Sequence, residues 1–209
     1  MPADLIHLVR HGEVHNPEGI LYGRIPGFHL SELGHRMADA AAASLAGHPV
    51  VALYASPLQR AQESAQPWAT RFELPVVTEE RIIEPHNWFE GKIMSRAIRH
   101  PSAWPQLRNP SKPSWGEPFK DVEKRMLAAV HDAWDAADGG EVVMVSHQMP
   151  IVMTARSVKG MRLPHDPRKR RCNLSSITTL RREGDRFVEV GYSEPAGALL
   201  AQAVDLGAV

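Results

Sequence analysis

Three short segments, far apart in a chain of 209 residues, bring arginine, histidine and hydroxyl side chains together. They are Arg10-His11-Gly12-Glu13, Ser56-Pro57-Leu58-Gln59-Arg60-Ala61 and Val145-Ser146-His147. Arginine presents a planar fork of N–H donors that matches phosphate oxygens two at a time. Two such forks can spread the negative charge of a phosphoryl group without a metal ion. Cationic neighbours disfavour imidazolium, so a histidine held between arginines stays neutral at physiological pH. Neutral imidazole is a competent nucleophile toward phosphorus. Gly12 lets backbone approach a bound anion with no side chain in the way. If the segments meet, the chemistry they suit is phosphoryl transfer.

Each segment follows a short apolar run, and open α/β sheets bind ligands outside the carboxyl ends of their strands. Residues 5–9, 50–54, 76–77 and 142–145 read as buried strands of a mainly parallel sheet. Helical periods lie between them. Leu33, Met37, Ala41 and Leu45 form one apolar stripe, and Gly47 is placed to end that helix. Ser56 as N-cap, Pro57 at the first helical position and Gln59 reaching back predict a second helix start, with Pro67 kinking or ending it. Pro118 opens a long helix with Phe119, Val122, Met126, Val130, Ala133 and Ala137 as its buried stripe, closed by Gly139-Gly140. Pro150 opens another that ends before Gly160. Residues 175–180 and 186–190 flank Glu183-Gly184-Asp185 as an antiparallel hairpin at the sheet edge. The irregular stretch from about residue 92 to 120 reads as an inserted lid, with Trp104 and Trp115 packing it. The sum is a three-layer α/β/α sandwich, one domain over residues 1–209.

The three motifs, in this order and at these strand ends, resemble those of the histidine phosphatase superfamily, in its phosphoglycerate mutase-like branch. The resemblance runs from about residue 5 to residue 179. It implies that His11 is the nucleophile that becomes phosphorylated and that Arg10, Arg60 and His147 hold the phosphoryl group. The family also uses an acidic residue to protonate the leaving oxygen and then activate water. In the matching segment, Ile83-Glu84-Pro85-His86-Asn87-Trp88-Phe89-Glu90-Gly91, Glu84 falls at the proton donor's place and Glu90-Gly91 matches a Glu-Gly step. A carboxyl facing a phosphate dianion should have a raised pKa, which keeps its proton available. Asn16 and Gly23-Arg24 match the stretch that wraps the substrate phosphate. Gln148 stands where the family's usual glycine follows the histidine, setting a side chain at the pocket rim. The implied activity is a phosphomonoester phosphatase acting through a phosphohistidine on a small phosphorylated metabolite, with no metal or organic cofactor. Chain length and the stretch from Tyr22 to Gly27 fall on the phosphatase side. A phosphoglycerate mutase-type transfer and a phospho-ligand-binding module without turnover stay open as alternatives.

Composition narrows the partners. Lysine plus arginine number 24 and aspartate plus glutamate 24, so no global charge draws the chain to nucleic acid or anionic membrane. The single cysteine, Cys172, fits a reducing compartment. The first residues carry no basic leader pattern, and the alanine-rich run before Gly47 is interrupted by Asp39 and Ser44. A cytoplasmic protein is expected. His7 shares a strand face with His11 and reads as a satisfied core histidine; Glu13, Glu79 and Glu80 are rival carboxylates to Glu84. Residues 168–171, Arg-Lys-Arg-Arg, read as a solvated basic loop. His11-Gly12-Glu13-Val14-His15 has the wrong order, and a glycine in the wrong place, for a zinc helix.

Overall fold

In a computed structural model describing residues 1–105 and 115–205, the apolar runs become strands β1 (Leu5–Arg10), β2 (Val50–Ala55), β3 (Val76–Thr78) and β4 (Glu141–Ser146). The late hairpin supplies β5 (Ile177–Glu183) and β6 (Arg186–Ser193). All six form one sheet in the order β3-β2-β4-β1-β5-β6. β1 to β4 run parallel, while β5 is antiparallel to β1 and β6 to β5. Helices α1 (Glu32–Ser44) and α2 (Gln59–Phe72) cover one face; α4 (Phe119–Ala136) and α5 (Gln148–Val158) cover the other. A four-residue helix, α3 (Met94–Ala97), lies outside these layers.

Strand alternation divides the core in two. Ile6, Leu8, Val142 and Met144 pack against α4 and α5, whereas Val9, Val143, Val145 and Leu53 pack against α1 and α2. Each such fully buried aliphatic side chain contributes roughly 1.5–3 kcal/mol relative to exposure. Both faces are apolar, so the central strands read as continuous hydrophobic runs. Their carboxyl ends therefore meet the polar segments at one rim.

Several local expectations change. Ser56 does not cap α2: the N-cap is Leu58, with no side-chain bond, and the Ser56 hydroxyl turns to His147 instead. Gln59 is drawn away too, its side chain accepting from the Gly27 backbone N–H. Pro67 lies inside α2 without ending it, because burial of Ala61, Ala65 and Trp68 holds the helix across the missing N–H. The helix stops at Glu73, which takes a left-handed conformation. α1 ends at Ser44, before Gly47, and α5 starts at Gln148, two residues ahead of Pro150. β5 begins at Ile177 because Ser175 has a φ of 54°, which breaks an extended strand.

The stretch read as a lid, residues 92–120, lies in part outside the described residues, which omit 106–114. Leu21, Phe89 and Ala103 form a small apolar cluster with Met94, Ala97 and Trp115 around it. Trp115 packs as expected. Trp104 does not: it is 63% exposed. No helix among the described residues is long and apolar enough to cross a membrane.

Candidate active site

β1 delivers Arg10 at its last residue and His11 just beyond; α2 delivers Arg60 in its first turn; His147 is the N-cap of α5, directly after β4. All four side chains are buried, and so is Glu84. The Ser146 hydroxyl donates to the Ile82 carbonyl at 2.7 Å, which fastens the segment carrying Glu84 to the end of β4. Sequence-distant groups thus converge on one rim. The His11 and His147 rings lie 5.2 Å apart between centroids, inclined at 60°.

His11 Nδ1 sits 2.7 Å from the carbonyl oxygen of Gly12, which can only accept, so Nδ1 carries the proton. The Nε2 lone pair is left facing the Nε–H of Arg60 at 3.4 Å. Burial, then Arg60 and Arg10, hold the His11 imidazole well below its ordinary pKa of 6.5. Burial, then Arg60, His11 and Arg10 do the same to His147. His147 Nε2 is 2.7 Å from Ser56 Oγ, and its Nδ1 is 3.8 Å from Glu84 Oε2. Burial raises the Glu84 carboxyl above 4.5 against the pull of Arg60, Arg10, Arg170 and Arg125. The expected direction holds, and the cause within the protein is desolvation.

Three buried polar atoms have no hydrogen-bond partner among the described residues here: Arg10 Nε, Glu84 Oε1 and His147 Nδ1. Buried polar atoms are normally satisfied, and a group of unsatisfied ones at a single rim marks a place built for a polar ligand. Donors from arginine beside neutral imidazoles and a carboxyl whose pKa burial raises suit an anion with a leaving oxygen.

The remaining assignments separate. Gly23 reaches the site through its carbonyl, which accepts from Arg60 at 2.8 Å, while a Cβ there would lie 2.3 Å from Glu90 Oε1. Asn16 bonds the Ile20 backbone through both atoms of its amide and closes its own loop. Gly12 is required by packing, since a Cβ there would stand 2.3 Å from the Gly34 carbonyl oxygen. The rival carboxylates are engaged elsewhere. Glu13 bonds Ser31 and the Val204 N–H, Glu79 pairs with Arg81, and Glu80 is exposed. His7 is buried and satisfied by Thr179 and Glu141.

Four partners lay beyond sequence reasoning. Asp205 clasps Arg10 with both carboxylate oxygens, at 2.6 and 2.8 Å, and also lines a cleft of about 330 Å³ with Glu13, Asn16 and Tyr22. The Cys172 carbonyl accepts from Arg10 at 2.7 Å. Tyr22 lies under the Arg60 guanidinium, 4.7 Å from ring centroid to Cζ. Arg170 turns in from the basic run to bond Gln148 and His165, which corrects the reading of that run as wholly solvated. Gln148 does sit at the rim, but with its oxygen accepting from Arg170. No motif flags these contacts; an aspartate in an alanine-rich tail is silent until the tail folds back.

A family model described as the histidine phosphatase superfamily (branch 1) matches residues 6–195. Over 200 residues the chain is 54% identical to the uncharacterized protein Rv0525 of Mycobacterium tuberculosis, covering 94% of this chain and 99% of that one. It is 30% identical over 150 residues to phosphoserine phosphatase 1 of Hydrogenobacter thermophilus, covering 69% of this chain and 71% of the other. The solved structure of Bacillus stearothermophilus YhfR superposes with a TM-score of 0.78 at 28% identity, covering 89% of this chain and 95% of its own.

Proposed function

The chain belongs to the histidine phosphatase superfamily, and from that membership we propose that it is a phosphomonoester phosphatase, a single domain acting on a small phosphorylated metabolite through a phosphohistidine. The observation that carries the reading is His11: its proton is fixed on Nδ1 by the Gly12 carbonyl, and Nε2 is left unprotonated, its lone pair accepting from the Arg60 Nε–H at 3.4 Å. In the first step Nε2 attacks phosphorus, the P–N bond forms, and the bond to the ester oxygen breaks with its electron pair leaving on that oxygen. Glu84, whose protonated form burial favours, gives its proton to the departing alkoxide. In the second step the Glu84 carboxylate takes a proton from water, the water oxygen bonds phosphorus, and the P–N bond breaks to restore His11. Arg10, Arg60 and His147 stabilise both transition states electrostatically, which is the main source of rate in phosphoryl transfer. The reacting centre uses no metal in this scheme. The similarity to a protein named phosphoserine phosphatase 1 supports hydrolysis of a monoester over transfer within one substrate.

The test is release of inorganic phosphate from an aryl phosphate with no phosphoglycerate present, together with rapid acid-free quenching to find phosphate bound to His11. Steady phosphate release and labelled His11 are expected. Label without steady release would favour the mutase, and neither would leave a binding module.

A further inference from the structure

A second cluster lies at the opposite end of the sheet and takes no part in the scheme above. His7 comes from the middle of β1, His48 from the turn before β2, and Glu141 from the first residue of β4. His7 Nε2 is 2.8 Å from Glu141 Oε2, and His48 Nδ1 is 2.9 Å from the same oxygen. The three ligand atoms all lie within 4.8 Å of one another. From this geometry we infer that His7, His48 and Glu141 form a binding site for a divalent transition-metal ion of the zinc class.

Charge gives the first reason. The Glu141 side chain is only 9% exposed, and its ion-pair partners among the described residues are the two imidazoles, with no lysine or arginine among them. A carboxylate taken out of water demands a compensating positive charge. A bound divalent ion supplies it through the same atoms. Ligand type gives the second reason: two imidazole nitrogens and one carboxylate oxygen match zinc and its neighbours and do not match magnesium or calcium, which take oxygen.

Geometry gives the third. Metal–ligand bonds of about 2.0–2.1 Å at tetrahedral angles place ligand atoms about 3.3 Å apart. The two nitrogen–oxygen separations need to open by roughly half an ångström to reach that value. Orientation is already in place for His7. Its Nδ1 lies 3.0 Å from Thr179 Oγ1, and the tautomer donating there points the Nε2 lone pair into the cluster. Such an outer partner is the usual companion of a ligating histidine. His48 is 44% exposed, so the site has an entrance and room for water as a fourth ligand.

The experiment uses the full chain, stripped with a chelator and returned to chelator-free buffer. Zn²⁺ is titrated against a chromophoric competitor, and Co²⁺ is added separately as a visible probe of coordination. One tight equivalent of zinc is expected, with the strong visible bands of four- or five-coordinate cobalt. His48→Gln, at a half-exposed position, should fold normally and weaken zinc at least ~100-fold, beyond the 10–100-fold typical of an outer-sphere change. Thr179→Val, which removes only the orienting hydroxyl, should weaken it about 10-fold. Glu141→Gln should match His48→Gln; if it fails to fold, His48→Gln decides alone. Absence of stoichiometric zinc would overturn the site. Equal binding by wild type and His48→Gln would overturn it too, placing the ion on others of the 11 histidines.

Discussion

Two histidines and a glutamate, drawn from three distant segments, meet at each end of the same sheet. At the carboxyl end His11, His147 and Glu84 lie among Arg10 and Arg60, and two of their polar atoms, His147 Nδ1 and Glu84 Oε1, have no hydrogen-bond partner among the described residues. At the amino end His7 and His48 both bond Glu141 directly, and no arginine or lysine pairs with the carboxylate among the described residues. The residue types are the same and the charge around them is opposite. A trio wrapped in guanidinium suits an anion; a trio left with a buried carboxylate suits a cation. Ligand chemistry is therefore written in the neighbours as much as in the trio.

The sharpest way to break that contrast is to remove one histidine from each end. His11→Ala takes away the covalent nucleophile, and turnover should drop more than ~10³-fold in a folded protein, as for other such nucleophiles. His48→Gln should leave turnover untouched. The check is phosphate release by both variants at saturating aryl phosphate. Retention of more than a few per cent of activity by folded His11→Ala would end the phosphohistidine route.

The glutamates sharpen it next. A general acid contributes about 10²–10⁴-fold, chiefly when the leaving group is poor. Glu84→Gln should cost about that factor in single-turnover phosphorylation by an alkyl phosphate, and less than about 10-fold with para-nitrophenyl phosphate, whose phenolate leaves unaided. The reaction needs His11 neutral and Glu84 protonated. His11 is depressed below 6.5, so the acid limb lies below that value; Glu84 is raised above 4.5, so the alkaline limb begins above that one. In single-turnover phosphorylation that alkaline limb should be steep for the alkyl ester and shallow for the para-nitrophenyl ester, whose phenolate needs no proton. Equal losses with both esters would mean Glu84 only positions phosphate.

The arginines and histidines of the carboxyl end were legible in the sequence because they sit just past strand ends, in Arg10-His11-Gly12, Arg60 and Ser146-His147, while Glu84 followed from the family resemblance. Strand and helix order followed from apolar period. What failed was local choice among partners. Ser56 carried every mark of a helix cap, and the tertiary pull of His147 won. The amino-end trio has no spacing signature, since residues 7, 48 and 141 meet only through the parallel register of β1, β4 and β2. His7 read correctly as a satisfied core histidine, yet nothing in one strand names its partners.

A smaller effect is expected at Arg10. Asp205 already lays a carboxylate across this guanidinium, an anion from the chain's own tail at the anion-binding end. A substrate phosphate must compete with it. The Asp205 side chain is 38% exposed, so the pair is worth no more than about 1 kcal/mol, roughly a fivefold change in binding. Asp205→Asn keeps the shape and removes the charge. KM and the inhibition constant of inorganic phosphate should both fall about three- to fivefold, with kcat unchanged. A rise in KM would instead make Asp205 part of the surface that holds substrate.

The smallest effect on turnover is none, and it tests whether the two ends are independent. Four residues of extended strand separate His7 from His11, about 13 Å. Exhaustive chelation should therefore leave kcat and KM where they were, because the arginines supply the charge that a metal supplies in other phosphoryl-transfer sites. The same treatment should remove a stabilisation that belongs to the amino end. At free zinc about 100-fold above its dissociation constant, binding to the folded state alone is worth about 2.7 kcal/mol. For a chain of this size that corresponds to roughly 5–10 °C in Tm. Thermal unfolding with and without zinc, run beside activity on the same samples, separates the outcomes. Activity lost on chelation and restored by zinc would place a metal in the reaction and dissolve the distinction between the two trios. A Tm insensitive to zinc in wild type, with activity intact, would leave the carboxyl-end chemistry standing and remove the cation from the other end.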